Sequence, residues 1–539
     1  MASSSPSSTH PTDTLQLEDP NDNNINLDAE NADSTVYPAG LQLWMSLVSC
    51  VFSMLLVGLD LTIVAVCVPS LTNEFHTVQD LGWYSAAYML ISSSFILFCS
   101  RLYAVFPVKR LFLISTAIFE LGSLVCTVAP LSIVFILGRA IAGLGSCSLQ
   151  VGVLLILTHS FPKAKRPMWT SICFAIQTLA MVLAPLVGGV LIDAWSWRLC
   201  FAINLPLGVV TFLLTFFAFH DPVVNPDVTL SIADKLKRLD LLGTLFFVPS
   251  IVCLLIAMQW GGIKYGWGSP VVISLLVIFA LFLTLFAVIQ YRQNDHATLP
   301  ARILRQRSVL AGAWFGTCYN GILAVTEYYI SIYFQGIRGY SAAKSGALGV
   351  PLMVGMMAAS FASGVFTTTI GYYYPLMFAT SILAPIASGL LTTLPVEENL
   401  AKILAYLGFL GVAVGLGMQS PVVAVQTVLP MKDVATGISI TGLAGGMGSA
   451  LFISASATLF QTRLQAEVAQ YAPGTNVTAF VDGGLDHVRE YIGGNRLQSV
   501  LLGYDKAVMQ TLYMPVALGG LTLLGSLAME RKSVKKKAA

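Results

Sequence analysis

A chain of 539 residues would ordinarily fold as several soluble domains, yet 56% of it is hydrophobic and only 10% charged, against roughly a quarter charged in soluble proteins. No water-exposed fold hides that much apolar surface, and apolar runs of about 20 residues, enough to cross a hydrocarbon core of roughly 30 Å, recur nearly end to end. The net charge of +2 disfavours a nucleic-acid partner, which leaves one all-α polytopic membrane domain.

Residues 1–40 carry seven acids and no Lys or Arg. With so little apolar surface to bury they are expected to form a disordered acidic tail on the cytoplasmic side, and the absence of a basic start argues against a cleavable signal peptide. Fourteen spans follow at roughly 41–68, 83–104, 109–129, 132–158, 168–193, 198–219, 240–259, 270–291, 309–335, 345–368, 371–394, 402–427, 434–462 and 509–529. With a cytoplasmic N-terminus, nineteen of the 29 basic residues fall on the cytoplasmic side, nine outside, and Arg139 lies within a span. A miscount by one span would reverse every later loop, so the bias supports both number and orientation. The nine cysteines lie in or beside apolar segments without C-x-x-C spacing, as small packing residues do. The six histidines are scattered, which argues against a metal site.

Four titratable residues stand well inside the spans, where a charge normally faces a partner or a water-filled cavity. Asp60 sits in Leu59-Asp60-x-Thr62-Ile63-Val64. Glu120 is near the middle of the third span. Arg139 opens a polar face with Gly143, Ser146 and Gln150, within Gly138-Arg139-x3-Gly143-x-Gly145. Glu327 shares a stripe of the ninth span with Asn320, Ala324 and Ser331. A carboxylate whose separation from Arg139 changes with conformation would couple proton binding to movement. The competing reading is a static pair that locks helices together, and for Glu120 simple helix packing weighs more than coupling.

From Ser171 to Gly208 the small residues Ala180, Ala184 and Gly188 recur four apart on one helical face, with Gly189 alongside and Pro185 in the helix interior. In water these would be breaking signals. Among packed membrane helices they let backbones touch, and the carbonyl of Met181, freed by Pro185, can find a partner on a neighbouring segment. A bend then leads into Trp197-Arg198-x2-Phe201-x-Ile203-Asn204-x-Pro206-x-Gly208. Spans seven and eight carry few polar residues. Gly411, Gly415 and Gln419 give the twelfth span a small, polar face suited to a central cavity, where Gln150, Gln177, Asn320 and Gln419 would offer amides to a bulky amphipathic substrate. Asn476-Val477-Thr478 is a glycosylation sequon on the long outer loop, 463–508, and Lys535 to Lys537 should lie against anionic lipid. Glycine clusters at 143–145 and 442–448 lie in apolar helices without a P-loop lysine, so an enzyme is not expected.

These patterns carry a resemblance. Ala180-x3-Ala184-Pro185-x2-Gly188-Gly189 resembles the fifth-helix antiporter motif of the major facilitator superfamily, with alanine at two customary glycine positions. Trp197 to Gly208 is similar to the sixth-helix signature of the fourteen-helix drug:proton antiporters, and the stretches at Asp60 and Arg139 resemble their first- and fourth-helix motifs. The second-to-third-helix loop departs: Ala104 stands at the aspartate position, so aromatic packing by Tyr103 and Phe106 is expected to replace a charge latch. The resemblance covers about residues 41–529 and implies a six-helix bundle at 41–219, a linker with two extra spans at 220–308, a second bundle at 309–529 and a basic cytoplasmic tail at 530–539. It further implies a monomeric, proton-coupled exporter of a toxin, secondary metabolite or drug, driven by the proton gradient without a cofactor, in the cell membrane or the vacuolar membrane. A proton symporter importing a siderophore or nutrient is the alternative, a channel or receptor a weaker one. On this reading, Asp60→Asn or Arg139→Ala abolishes export and leaves the protein folded.

Overall fold

The structure, a computed structural model, describes residues 38, 40–76, 80–219, 235, 239–262, 264–293, 297–396, 398–472 and 495–535. The expected acidic tail, the sequon at Asn476 and Lys536 and Lys537 fall outside these residues. Among the described residues, fourteen helices are long and apolar enough to cross a membrane. The first six are α1 (Gly40–Phe75), α2 (Leu81–Val105), α3 (Val108–Val128), α4 (Ser132–Ser160), α5 (Arg166–Ala194) and α6 (Leu199–Ala218). Two more, α7 (Leu241–Trp260) and α8 (Pro270–Gln293), precede α9 (Arg307–Ile337), α10 (Lys344–Ile370), α11 (Tyr374–Leu391), α12 (Leu400–Val428), α13 (Met431–Tyr471) and α14 (Leu497–Ala528).

Helix ends fall where the backbone demands them. Pro107 separates α2 from α3, Gly371 closes α10 at φ +93°, and Asp240 caps α7 by accepting from Gly243 N at 2.6 Å. Such caps satisfy amide groups that helix starts leave unpaired.

The packing repeats. In the first half α1 lies against α5 and α6, α2 against α4, and α3 against α4 and α6. Eight helices later α9 lies against α13 and α14, α10 against α12, and α11 against α12 and α14. Two six-helix bundles of like topology therefore face each other, meeting along α5–α10 and α2–α13. The inserted pair α7–α8 packs as a hairpin whose first helix touches α2 and α13.

One boundary differs from the sequence reading. The long loop expected at 463–508 is helical up to Tyr471 and again from Asn495. Its polar residues conceal an apolar stripe: Leu464 and Val468 are buried in one cluster with Val500, Tyr504 and Val508. Polarity read residue by residue suggested a loop, whereas the i, i+4 spacing builds a helical hairpin beyond the apolar core of the spans.

At the face where α1 begins and α14 ends, here the terminal face, residues 529–535 are stitched to the α10–α11 turn. Val534 N donates to Gly371 O at 2.9 Å, Ser533 Oγ donates to the same oxygen at 3.1 Å, and Val534 is buried with Met529, Tyr373 and Met377. Burying a valine is worth about 1.5–3 kcal/mol. Val534→Asp is therefore expected to speed tryptic cleavage after Arg531 and Lys532 at least ~tenfold, read from the intact fraction over time in detergent.

Candidate functional site

The first bundle holds a polar centre that water does not reach. Asp60 on α1 and Arg139 on α4 are 0% and 1% exposed and paired at 2.7 Å through Nη1 and Oδ2. Arg139 Nη2 donates to the Asp60 carbonyl at 3.2 Å and Nε to the Tyr84 carbonyl on α2 at 3.1 Å. The guanidinium also lies 4.5 Å from the Tyr88 ring and 5.8 Å from Phe201. The planar fork of arginine thus binds two helices at once while its charge is compensated by a carboxylate and two rings. Asn204 on α6 completes the centre, donating through Nδ2 to Asp60 Oδ1 at 3.2 Å and to Ser123 Oγ on α3 at 3.1 Å. The expectation that Arg139→Ala leaves the fold intact is revised by this geometry, because removing one partner strands the other charge in the interior.

Glu120 lies beside this centre without joining its hydrogen bonds. Both carboxylate oxygens are buried and unpartnered. Its side chain fills the space a Cβ would occupy on Gly208, where an added carbon would meet Oε1 at 1.8 Å. Asn204 Oδ1 is likewise buried without a partner, one helical turn from Gly208 on α6.

The small-residue face of α5 is the contact surface with α1. Ala180, Ala184 and Gly188 are buried, and a Cβ on Gly58 would meet Gln177 O at 2.4 Å and Ala180 Cβ at 2.8 Å. Thr62 Oγ1 donates to Met181 O at 3.0 Å, partnering the carbonyl that Pro185 frees. Gly189 has open space around its Cα, so packing alone does not require glycine there. Where the chain turns into α6, the indole of Trp197 donates to Glu74 Oε2 at 2.5 Å and Arg198 grips the same carboxylate at 2.7 and 2.9 Å. Pro206 lies in the first turns of the main segment of α6.

Glu74 stands past the apolar part of α1. Hydrogen bonding from Arg198, opposed by burial and aided by Trp197, holds its carboxyl below the ordinary value of 4.5. A depressed carboxylate stabilises the fold at pH above its unfolded value, and that stabilisation fades as pH falls through the folded one. Acid titration should therefore change the Trp197 fluorescence, taken as wild type minus Trp197→Phe, with a midpoint below 4.5. Glu74→Gln should abolish that transition.

Between the bundles, the direct hydrogen bonds among described residues cluster towards the terminal face. Ser171 Oγ on α5 donates to Gln419 Oε1 on α12 at 2.7 Å, and Gln419 Nε2 donates to Ser360 on α10. Met168 N donates to Thr368 Oγ1 at 3.1 Å, Gln426 Nε2 to Thr158 Oγ1 at 3.2 Å, and Arg166 Nη1 to Gln426 O at 3.5 Å. The amide of Gln419, 2% exposed, is thus committed to this closure in the observed conformation. At the opposite face the bundles are bridged through the inserted hairpin, by the Trp83–Trp260 edge contact at 6.2 Å and by Trp267 Nε1 donating to Thr458 Oγ1 at 2.8 Å.

The remaining candidates are dispersed. Gln150, Gln177 and Asn320 are half-buried, and Asn320 Nδ2 donates to Gly316 O on its own helix at 2.9 Å. Glu327 lies in the second bundle, half-buried, next to the aromatic cluster of Tyr328, Tyr329, Phe460 and Tyr504. Tyr103 packs into the first bundle against Gly152, and Lys235 of the linker stands 5.5 Å above the Phe106 ring. Glu74, Tyr84 and Ser123 escaped the sequence reading. Glu74 sits at a helix end, Tyr84 contributes only a carbonyl, and a lone serine carries no signal. Among the described residues no cluster of three metal-ligating side chains occurs.

Fold and centre together define a membrane transporter of two facing bundles. The chain belongs to the Major Facilitator Superfamily, whose description matches residues 50–453. It is 40% identical over 509 residues to the MFS-type efflux pump MFS1 of Arthroderma benhamiae, covering 94% of this chain and 95% of that protein. It is 38% identical to the efflux pump roqT of Penicillium rubens, covering 89% of each, and 37% identical to the aspyridones efflux protein of Neocamarosporium betae, covering 95% and 91%. Among solved structures, the proton:xylose symporter XylE shares the fold at TM-score 0.57 and 13% identity, covering 90% of this chain and 94% of that one. The human organic anion transporter MFSD10 does so at 0.56 and 12%, covering 88% and 100%. This membership makes the chain a transporter and not an enzyme.

Proposed function

We propose that the protein is a proton-driven exporter of a small amphipathic toxin, secondary metabolite or drug. The observation that carries this reading is the buried Asp60–Arg139–Asn204 centre in a chain whose relatives along nearly their full length are efflux pumps. The basic-residue bias makes the terminal face cytoplasmic. The observed conformation is then closed towards the cytoplasm and faces outward. In this state Asp60 is paired with Arg139, and Asp60, Arg139, Glu120 and Glu327 form the set through which protons act. Gln150, Gln177 and Asn320 line the path of the cargo, with Gln419 joining once the cytoplasmic contacts part. The protein works as a monomer in the cell membrane, powered by the proton gradient with no cofactor.

The switch is energetically accessible. At about 0.6 kcal/mol for an average interhelical hydrogen bond in a membrane protein, a handful of cytoplasmic contacts sums to about 3 kcal/mol. That is close to the roughly 2.3 kcal/mol one charge gains across 100 mV.

Inside-out vesicles with an acidic lumen, offered a panel of fluorescent amphiphiles and fungal metabolites, test the proposal. An exporter concentrates its cargo in the acidic lumen. A lumen emptied of cargo would identify a symporter instead, and the absence of gradient-driven movement for the whole panel would refute proton-driven export.

A further inference from the structure

We propose that Glu120 is the group that carries the driving proton in the outward-facing state, and that Gly208, the last residue of the sixth-helix pattern, is the socket for its carboxyl group. This rests on the reading of the chain as a gradient-driven exporter and assigns the proton within it.

The Asp60 carboxylate is poorly placed to hold that proton in this conformation. Both of its oxygens are engaged, by Arg139 and by Asn204, and a proton there would compete with an ion pair at 2.7 Å. Glu120 is placed the opposite way. A carboxylate with neither oxygen hydrogen-bonded and neither reached by water has lost its hydration without replacement, which is among the costliest arrangements a protein can hold. A neutral carboxyl in the same place gives up far less.

The surroundings agree. From α1 the titratable group that acts on Glu120 is Asp60. On α4, Arg139 has committed its donors to Asp60 Oδ2 and to the carbonyls of Asp60 and Tyr84. From α6 comes the bare backbone of Gly208. A proton on Glu120 converts one oxygen into a donor, and Asn204 Oδ1, one helical turn from Gly208 on α6, is an acceptor without one.

Gly208 makes the arrangement conditional on conformation. The carboxyl lies against its Cα with no space for a methyl group, so α3 and α6 shut out water and any cation while they stay packed. One proton from the external water binds a Glu120 oxygen before this packing closes over it. The same proton passes to cytoplasmic water, regenerating the carboxylate, once a rearrangement lets solvent or Arg139 approach.

The test uses the full-length protein in lipid nanodiscs and in proteoliposomes. Infrared spectra should contain a protonated-carboxyl C=O stretch that shifts in D2O, is lost in Glu120→Gln and is retained in Asp60→Asn. Survival of that band in Glu120→Gln overturns the assignment. In proteoliposomes with ethidium as the probe, Glu120→Gln should lower accumulation driven by a pH difference at least tenfold. Equal pumping by wild type and Glu120→Gln overturns the inference and leaves the exporter reading standing. The infrared band at Glu120 without gradient-driven transport in wild type does the reverse. Gly208→Ala should displace the carboxyl, shifting the band and reducing pumping, and an unchanged band with normal pumping would refute the socket.

Discussion

Arg139→Ala is expected to lower unfolding free energy by about 3–5 kcal/mol, the cost of stranding one member of a buried ion pair, and to abolish gradient-driven export. Loss of the guanidinium leaves Asp60 with Asn204 as its remaining partner and opens the contacts to Tyr84 O and Tyr88. Asp60→Asn is expected to cost less, about 1–3 kcal/mol, since Arg139 keeps two carbonyl acceptors and two ring faces. Denaturation in detergent, followed by tryptophan fluorescence, measures both. The informative variant is Asp60→Asn with Arg139→Gln, which removes both charges together. It should recover much of the stability lost in Arg139→Ala and none of the transport, and simple additivity of the two losses would show that the pair is not coupled.

Gly364→Val should hold the protein away from its observed conformation. A Cβ at Gly364 would meet Ser171 Oγ at 2.0 Å and Pro167 O at 3.0 Å, so the branched side chain wedges α10 from α5 where Ser171, Gln419 and Ser360 close the face proposed to be cytoplasmic. Removing two or three of those hydrogen bonds, at about 0.6 kcal/mol each, shifts the equilibrium by about 1.2–1.8 kcal/mol, roughly a tenfold change in population. The measurement is labelling of a cysteine introduced at Ser360 by a membrane-impermeant maleimide in inside-out vesicles. The wedge should raise the rate about tenfold, and an unchanged rate would mean that this contact does not seal the cytoplasmic side.

Much of the fold was legible because lipid enforces it: apolar runs of spanning length admit little other than helices, and the spacing of Ala180, Ala184 and Gly188 announced a close helix contact, though not that α1 makes it. The polar hairpin after Phe460 was misread because polarity there belongs to one helical face only. For the site, the sequence singled out Asp60, Arg139 and Asn204 but could not show that α1, α4 and α6 bring them together. It ranked Glu120 below the others, weighing helix packing above coupling. A glutamate in an apolar span looks the same whether it packs harmlessly or lies unpartnered, and that distinction came from the glycine facing it, 88 positions later in the chain.

The inserted hairpin breaks the likeness between the two seams along which the bundles meet. α7 leans on α2 and α13, and α8, exposed over most of its length, stands outermost. Among the described residues, one seam between the bundles is thus flanked by hydrocarbon side chains of an added helix, and the seam at α5 and α10 is not.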